Sequence, residues 1–182
     1  NKMNTFRDFI TCSEFLINNN YTSSDKLAIY GRSAGGLLIG AVINMRPDLY
    51  KLAILGVPFV DVLSTMSDKC SPLTTEEYHE FGNPANKSIR DYIQKYSPVD
   101  NIDTSLNYPN IYIYSNINDN QVRYIEPLKY YNKIKESTVF KSGEKQILMK
   151  INMKYGHSQS SKRYESMEEI ANIYNMITHF II

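Results

Sequence analysis

The stretch AIYGRSAGGLL, residues 28–38, limits what this chain can fold into more than any other. An apolar, strand-like run stops at Ser33, which Gly31, Gly35 and Gly36 surround, and an apolar run with helical spacing then resumes. G-x-S-x-G between a strand and a helix is the signature of a nucleophile elbow: the serine sits at the tip of a sharp turn in an unusual backbone conformation. The flanking glycines let strand and helix approach where a Cβ would clash. The helix begins directly under the serine, so its first N–H groups and its dipole face any negative charge that develops there. The backbone N–H of Ala34 is the natural oxyanion donor.

An elbow of this kind needs a parallel sheet around it, and the rest of the chain supplies the pattern. Phe6, Ile10, Phe15 and Leu16 predict an amphipathic helix over residues 5–17, closed by the asparagines at 18–20, which tolerate the left-handed conformation. KLAIY (26–30) predicts a strand, 34–44 a helix, and Pro47–Asp48 a turn. LAILGV (52–57) is a continuous apolar run of the kind buried on both faces of a parallel sheet. From Pro58 to Tyr108 the periodicity dissolves, with only residues 88–95 helical, and so long an irregular segment is usually functional. NIYIYS (110–115) and QILMKI (146–151) predict strands, and 124–136 and 164–180 predict helices. The alternation implies an α/β fold with a mainly parallel sheet.

A serine nucleophile needs a base, and the base needs an orienting acid. Three histidines are available. His179 falls on the last helix and is expected at the surface. His79 falls in the irregular segment. His157, in the polar loop KYGHSQSS after the last strand, occupies the place where α/β-hydrolases carry their base, in the order Ser, acid, His. For the acid, Asp119 follows the strand NIYIYS, and catalytic groups gather at the carboxyl ends of parallel strands. Asp61, after LAILGVPFV, is the rival. Asp100 and Asp103 lie further from any strand end and read as turn formers.

Composition narrows the alternatives. The 182 residues carry a formal charge of +1 and are 42% hydrophobic, enough for a core and too neutral for a nucleic-acid or anionic-membrane surface. No apolar run approaches the ~20 residues of a membrane span. The opening NKMNTFRDF has no apolar signal core, so a cytoplasmic setting is expected. Cys12 and Cys70 form no CxxC and are expected as reduced, mostly buried thiols. No metal or cofactor is called for.

Taken in order, the stretches NTFRDF, GRSAGG, AVINMRPDLY, VPFVDVLSTM, PLTTEEYHEFGNP, YSPVDNI, NDNQVRYIEP and YGHSQSSKRYE resemble the catalytic domain of the prolyl oligopeptidase family of serine peptidases, and within it the oligopeptidase B branch. The resemblance implies an α/β-hydrolase fold with Ser33 as nucleophile, Asp119 as orienter and His157 as base. It also implies oligopeptide substrates cleaved after Arg or Lys, with the cation held by acidic residues near PLTT. Glu77 matches one of these. The second falls on His79, a departure that weakens the acidic pair and would set a second cation beside the substrate's own when protonated. Gln121 stands where proline-specific members carry an arginine. The four strands match the second half of the family's sheet. The first half, a second oxyanion donor and a β-propeller are expected upstream of residue 1, and the open sheet edge left in their absence invites self-association. An esterase or acyl-peptide hydrolase of the same fold, or a non-catalytic structural role, stays open.

Overall fold

Two strands run through the middle of the sheet buried along their whole length, and everything else is arranged around them. The structure, a computed structural model, describes residues 1–71, 73–158 and 163–182, the side chains of 163–166 excepted. Pro72, which opens the PLTT stretch, and residues 159–162 of the histidine loop lie outside the described residues. The sheet comprises β1 (Ala28–Arg32), β2 (Leu52–Gly56), β3 (Asn110–Asn116) and β4 (Ile147–Asn152), all parallel and in chain order. β2 and β3 are buried at every residue, as their unbroken apolar runs imply, whereas β4 at the edge alternates. The outer edge of β1 has no strand partner among the described residues.

Successive side chains on a strand point to opposite faces. Ala53, Leu55, Ile111 and Ile113 therefore join the larger core, while Leu52, Ile54, Tyr112 and Tyr114 face the other way. The first face is covered by α1 (Lys2–Asn18), α2 (Ala34–Met45) and α6 (Ile125–Ile134), and the second by α8 (Arg163–Ile181) through Ile173, Met176, Ile177 and Phe180. α2 is apolar nearly all round, with seven buried residues, because it is wedged between the sheet and α1.

The long segment is more ordered than its composition suggests. Besides α5 (Lys87–Gln94) it contains α3 (Val62–Ser67), α4 (Tyr78–Phe81) and a 3₁₀ turn at Pro98–Asn101. A further short helix, α7 (Thr138–Lys141), precedes β4. Two expectations are corrected. The inner face of α1 is not set by Phe15 and Leu16, which are exposed; Phe6, Phe9, Ile10, Ser13 and Ile17 form it, with the Ser13 hydroxyl satisfied by the Phe9 carbonyl at 3.0 Å. Phe15 instead stacks on Tyr21 at the surface. Both cysteines are exposed free thiols, Cys12 on the outer side of α1 and Cys70 in the loop after α3.

Candidate active site

Ser33 caps α2 with φ 57° and ψ −120°, a strained conformation for a residue with a side chain. The turn is over-determined by its hydrogen bonds. The Ser33 N–H donates to the Gly56 carbonyl at 2.9 Å, and the Ser33 carbonyl accepts from Gly36 and Phe59 at 2.8 and 3.1 Å. The glycines do not contribute equally. A Cβ on Gly31 would lie 2.1 Å from the Gly35 carbonyl oxygen, and one on Gly36 would lie 2.4 Å from Pro58 Cβ. A Cβ on Gly35 would meet nothing, so its place in the motif is not a steric requirement here. Ala34 begins α2, which makes its N–H one of the first-turn donors that lack an intrahelical acceptor.

Asp119 and His157 meet at the carboxyl edge of the sheet. The His157 Nδ1 lies 2.8 and 3.0 Å from the two Asp119 carboxylate oxygens. The Asp119 side chain is fully buried, and its Oδ1 also accepts from the Gln121 and Val122 N–H groups at 2.9 Å each. The loop carrying His157 is tied down by Asn116, whose side-chain amide donates to the Gly156 carbonyl at 2.7 Å. The guanidinium of Arg32, the residue before the elbow serine, donates to the His157 carbonyl and links loop to elbow. Among the described residues the hydrogen bonds of the His157 ring go to Asp119 and not to Ser33. The rival acid is engaged elsewhere: Asp61, at the N-cap position of α3 without a side-chain capping bond, takes the Lys129 ammonium on its Oδ2 at 2.6 Å.

Beside the elbow opens a cleft whose walls include Ser33, Ala34, Phe59, Glu77, Glu80 and Gln121. Burial, reinforced by the neighbouring Glu80, pushes the Glu77 carboxyl above its ordinary value. His79 does not line this cleft, and it is exposed. The reason is helical geometry: residues three apart share a face, so Glu77 and Glu80 project together and His79 projects away. The second acid at the cleft is thus Glu80, and the pH signature expected of His79 has no structural basis. His179 is at the surface, against Phe180. A separate cavity between β3, β4 and α8, lined by Tyr112, Ser115, Lys150 and Glu168, shares Asn116 with the histidine loop but is lined by none of Ser33, Asp119 and His157.

Two residues were passed over by the sequence reading. Glu126 is buried behind the cleft and accepts from the Asp61 N–H at 3.1 Å and the Thr65 hydroxyl at 2.6 Å. Burial pushes its carboxyl up to about 7. The signal was present in the spacing, since Glu126, Tyr130 and Ile134 form the buried stripe of α6. Lys2, in the first turn of α1, pairs at 2.6 Å with Glu80 of the cleft wall.

A parallel sheet that carries an elbow serine after its first strand, an acid after its third and a histidine after its fourth is the layout of an α/β-hydrolase. The comparisons narrow that class. The model of the "Prolyl oligopeptidase family" matches residues 1–181, and the chain belongs to that family. It is 44% identical to Protease 2 of Moraxella lacunata over 177 residues, which is 97% of this chain and 25% of that protein. To Dipeptidyl aminopeptidase BI of Pseudoxanthomonas mexicana it is 42% identical, over 96% of this chain and 24% of that protein. Among solved structures, oligopeptidase B from Leishmania major superposes with a TM-score of 0.94 at 45% identity, covering 99% of this chain and 24% of that one. Oligopeptidase B from Trypanosoma brucei with covalently bound antipain gives 0.89 at 42% identity, covering 97% of this chain and 24% of that one. The chain spans about a quarter of the length of these relatives.

Proposed function

We propose that this chain supplies the reacting groups of a serine peptidase that hydrolyses oligopeptides after Arg or Lys. Ser33 Oγ attacks the scissile carbonyl carbon while His157 Nε2 takes the hydroxyl proton. Asp119 accepts the hydrogen bond from Nδ1, which leaves Nε2 as the basic nitrogen and stabilises the imidazolium that forms. The negative charge on the tetrahedral oxygen is met by the Ala34 N–H and the start of α2. Collapse breaks the C–N bond, His157 returns its proton to the departing amine, and the acyl group stays on Ser33. Water, deprotonated by His157, then attacks the ester carbon; the acyl C–Oγ bond breaks, His157 returns the proton to Ser33 Oγ, and the carboxylic acid product leaves. The Asp119–His157 pair at 2.8 Å supports the base assignment.

The observation that carries the substrate reading is the cleft that joins Ser33 to two carboxylates, Glu77 and Glu80. An extended peptide with its carbonyl at Ser33 would place the preceding side chain there, and a guanidinium matches a carboxylate bidentately. Gln121 on the same wall adds no positive charge to compete. Glu77→Gln keeps the shape and removes the charge. It is expected to lower kcat/KM on Arg and Lys amide reporters by about 30-fold, the low end of the ~2–5 kcal/mol cost of an unpaired desolvated charge, because Glu77 is only partly buried. Neutral reporters should be spared. Equal losses on cationic and neutral substrates would remove the specificity assignment.

A further inference from the structure

A cation sits against the wall of the cleft. Lys2 Nζ lies 2.6 Å from Glu80 Oε1 and 4.6 Å from the centre of the Phe81 ring, and both residues line the cleft. The Lys2 side chain is 18% exposed and that of its partner Glu80 52%, so the ammonium is the more sheltered half of a pair at the cleft rim. Its charge is also felt at Glu77, where it partly offsets the upward push of burial and Glu80. An ammonium that contacts one cleft carboxylate and influences the other changes what the cleft presents to a ligand.

We propose that Lys2 is a specificity-determining residue: a tethered cation that balances Glu80 and leaves Glu77 as the one uncompensated carboxylate for a cationic substrate side chain. The proposal rests on the reading that the cleft receives such a side chain. Its physical content is charge balance. Two carboxylates and one ammonium leave one net negative charge, which suits one guanidinium or ammonium. Removing Lys2 leaves two, and removing Glu80 leaves none. The aromatic face of Phe81 holds the Lys2 ammonium in place, because a ring face attracts a cation. α1 thus takes part in substrate selection although it carries no residue of the triad.

The test uses the whole protein and matched amide reporters with Arg, Lys or Leu before the scissile bond, read as the ratio of kcat/KM on cationic to neutral substrate. Lys2→Met preserves the apolar stem and should raise the ratio roughly three- to tenfold, mainly through KM, the scale of one partly screened charge. Lys2→Arg should keep the wild-type ratio. Glu80→Gln should lower it, because Lys2 is then free to compete for Glu77. The Lys2→Met/Glu80→Gln double variant restores one net negative charge and should return towards wild type. A flat or reduced ratio in Lys2→Met, or a double variant no closer to wild type than Glu80→Gln alone, would overturn the proposal. Should Lys2→Met fail to fold, Lys2→Gln takes its place, with the same rise in the ratio expected and a flat or lower ratio overturning the proposal. Glu77→Gln in the same assay separates the two readings: if it too leaves the ratio flat, the cleft assignment fails, and if it alone is selective, only the role of Lys2 is lost.

Discussion

The elbow and the cleft wall sit side by side, yet they are built in opposite ways. The elbow is held by backbone: four hydrogen bonds at Ser33, its strained conformation and glycine positions with no room for a Cβ. The cleft wall is held by side chains from distant parts of the chain. α3 and α4 are six and four residues long, too short to persist alone, and they are fastened by Thr65 to Glu126 and by Glu80 to Lys2. A reacting group must be placed to a fraction of an ångström, and rigid backbone does that. A selectivity surface is set by charge and shape, and replaceable side chains suffice.

The largest expected effects fall on the rigid region. Ser33→Ala or His157→Ala should lower kcat by about 10⁴–10⁶-fold, and Asp119→Asn by about 10⁴-fold, with the fold intact by circular dichroism. A mild Asp119→Asn beside a crippling Asp61→Asn would hand the orienting role to Asp61 and undo the comparison, because Asp61 belongs to the cleft segment.

The next effect sharpens the contrast from the cleft side. Glu126 has its carboxyl raised to about 7 from an ordinary value near 4.5, so the folded state holds a proton that the unfolded state releases between those values. Its contribution favours folding fully at pH below the ordinary value and is lost as pH rises through about 7, by up to about 3 kcal/mol. Glu126→Gln cannot ionise. Denaturant unfolding at pH 5 and pH 8 should show the variant gaining on wild type at the higher pH. A pH-independent difference would mean that the buried carboxyl does not titrate in this range.

Smaller still is the effect of one methyl group in the elbow. Gly36→Ala should destabilise by about 1–3 kcal/mol, because Pro58 cannot retreat without moving β2's exit. Gly35→Ala should cost almost nothing, since its Cβ would enter open space. Equal losses from the two would show that the motif's glycines act through something other than close approach.

The same division explains what could be read from the sequence. The four strands and the long helices appeared within a residue or three of their bounds, because continuous apolar runs and helical spacing report burial directly. The elbow was legible because its chemistry is local. So was the meeting of Asp119 with His157, since each follows a strand end. The cleft was legible only in part. α3 and α4 carry no periodicity of their own, and without the helical turn at 78–81 the choice between His79 and Glu80 could not be made by spacing. Glu126 and Lys2 are separated from their partners by 61 and 78 residues, and no local pattern records such a pairing. Cys12 was misplaced for the same reason: which side of α1 faces the core was decided by Phe6 and Ser13, not by residue type.

The account stands or falls on Ser33 being a nucleophile that His157 activates. The most direct measurement is labelling of the whole protein with a fluorophosphonate, followed by peptide mapping by mass spectrometry. The account predicts one modified residue, Ser33, with labelling abolished in Ser33→Ala and slowed by orders of magnitude in His157→Ala. A label on another serine, or labelling of Ser33 at the same rate with and without His157, would contradict it.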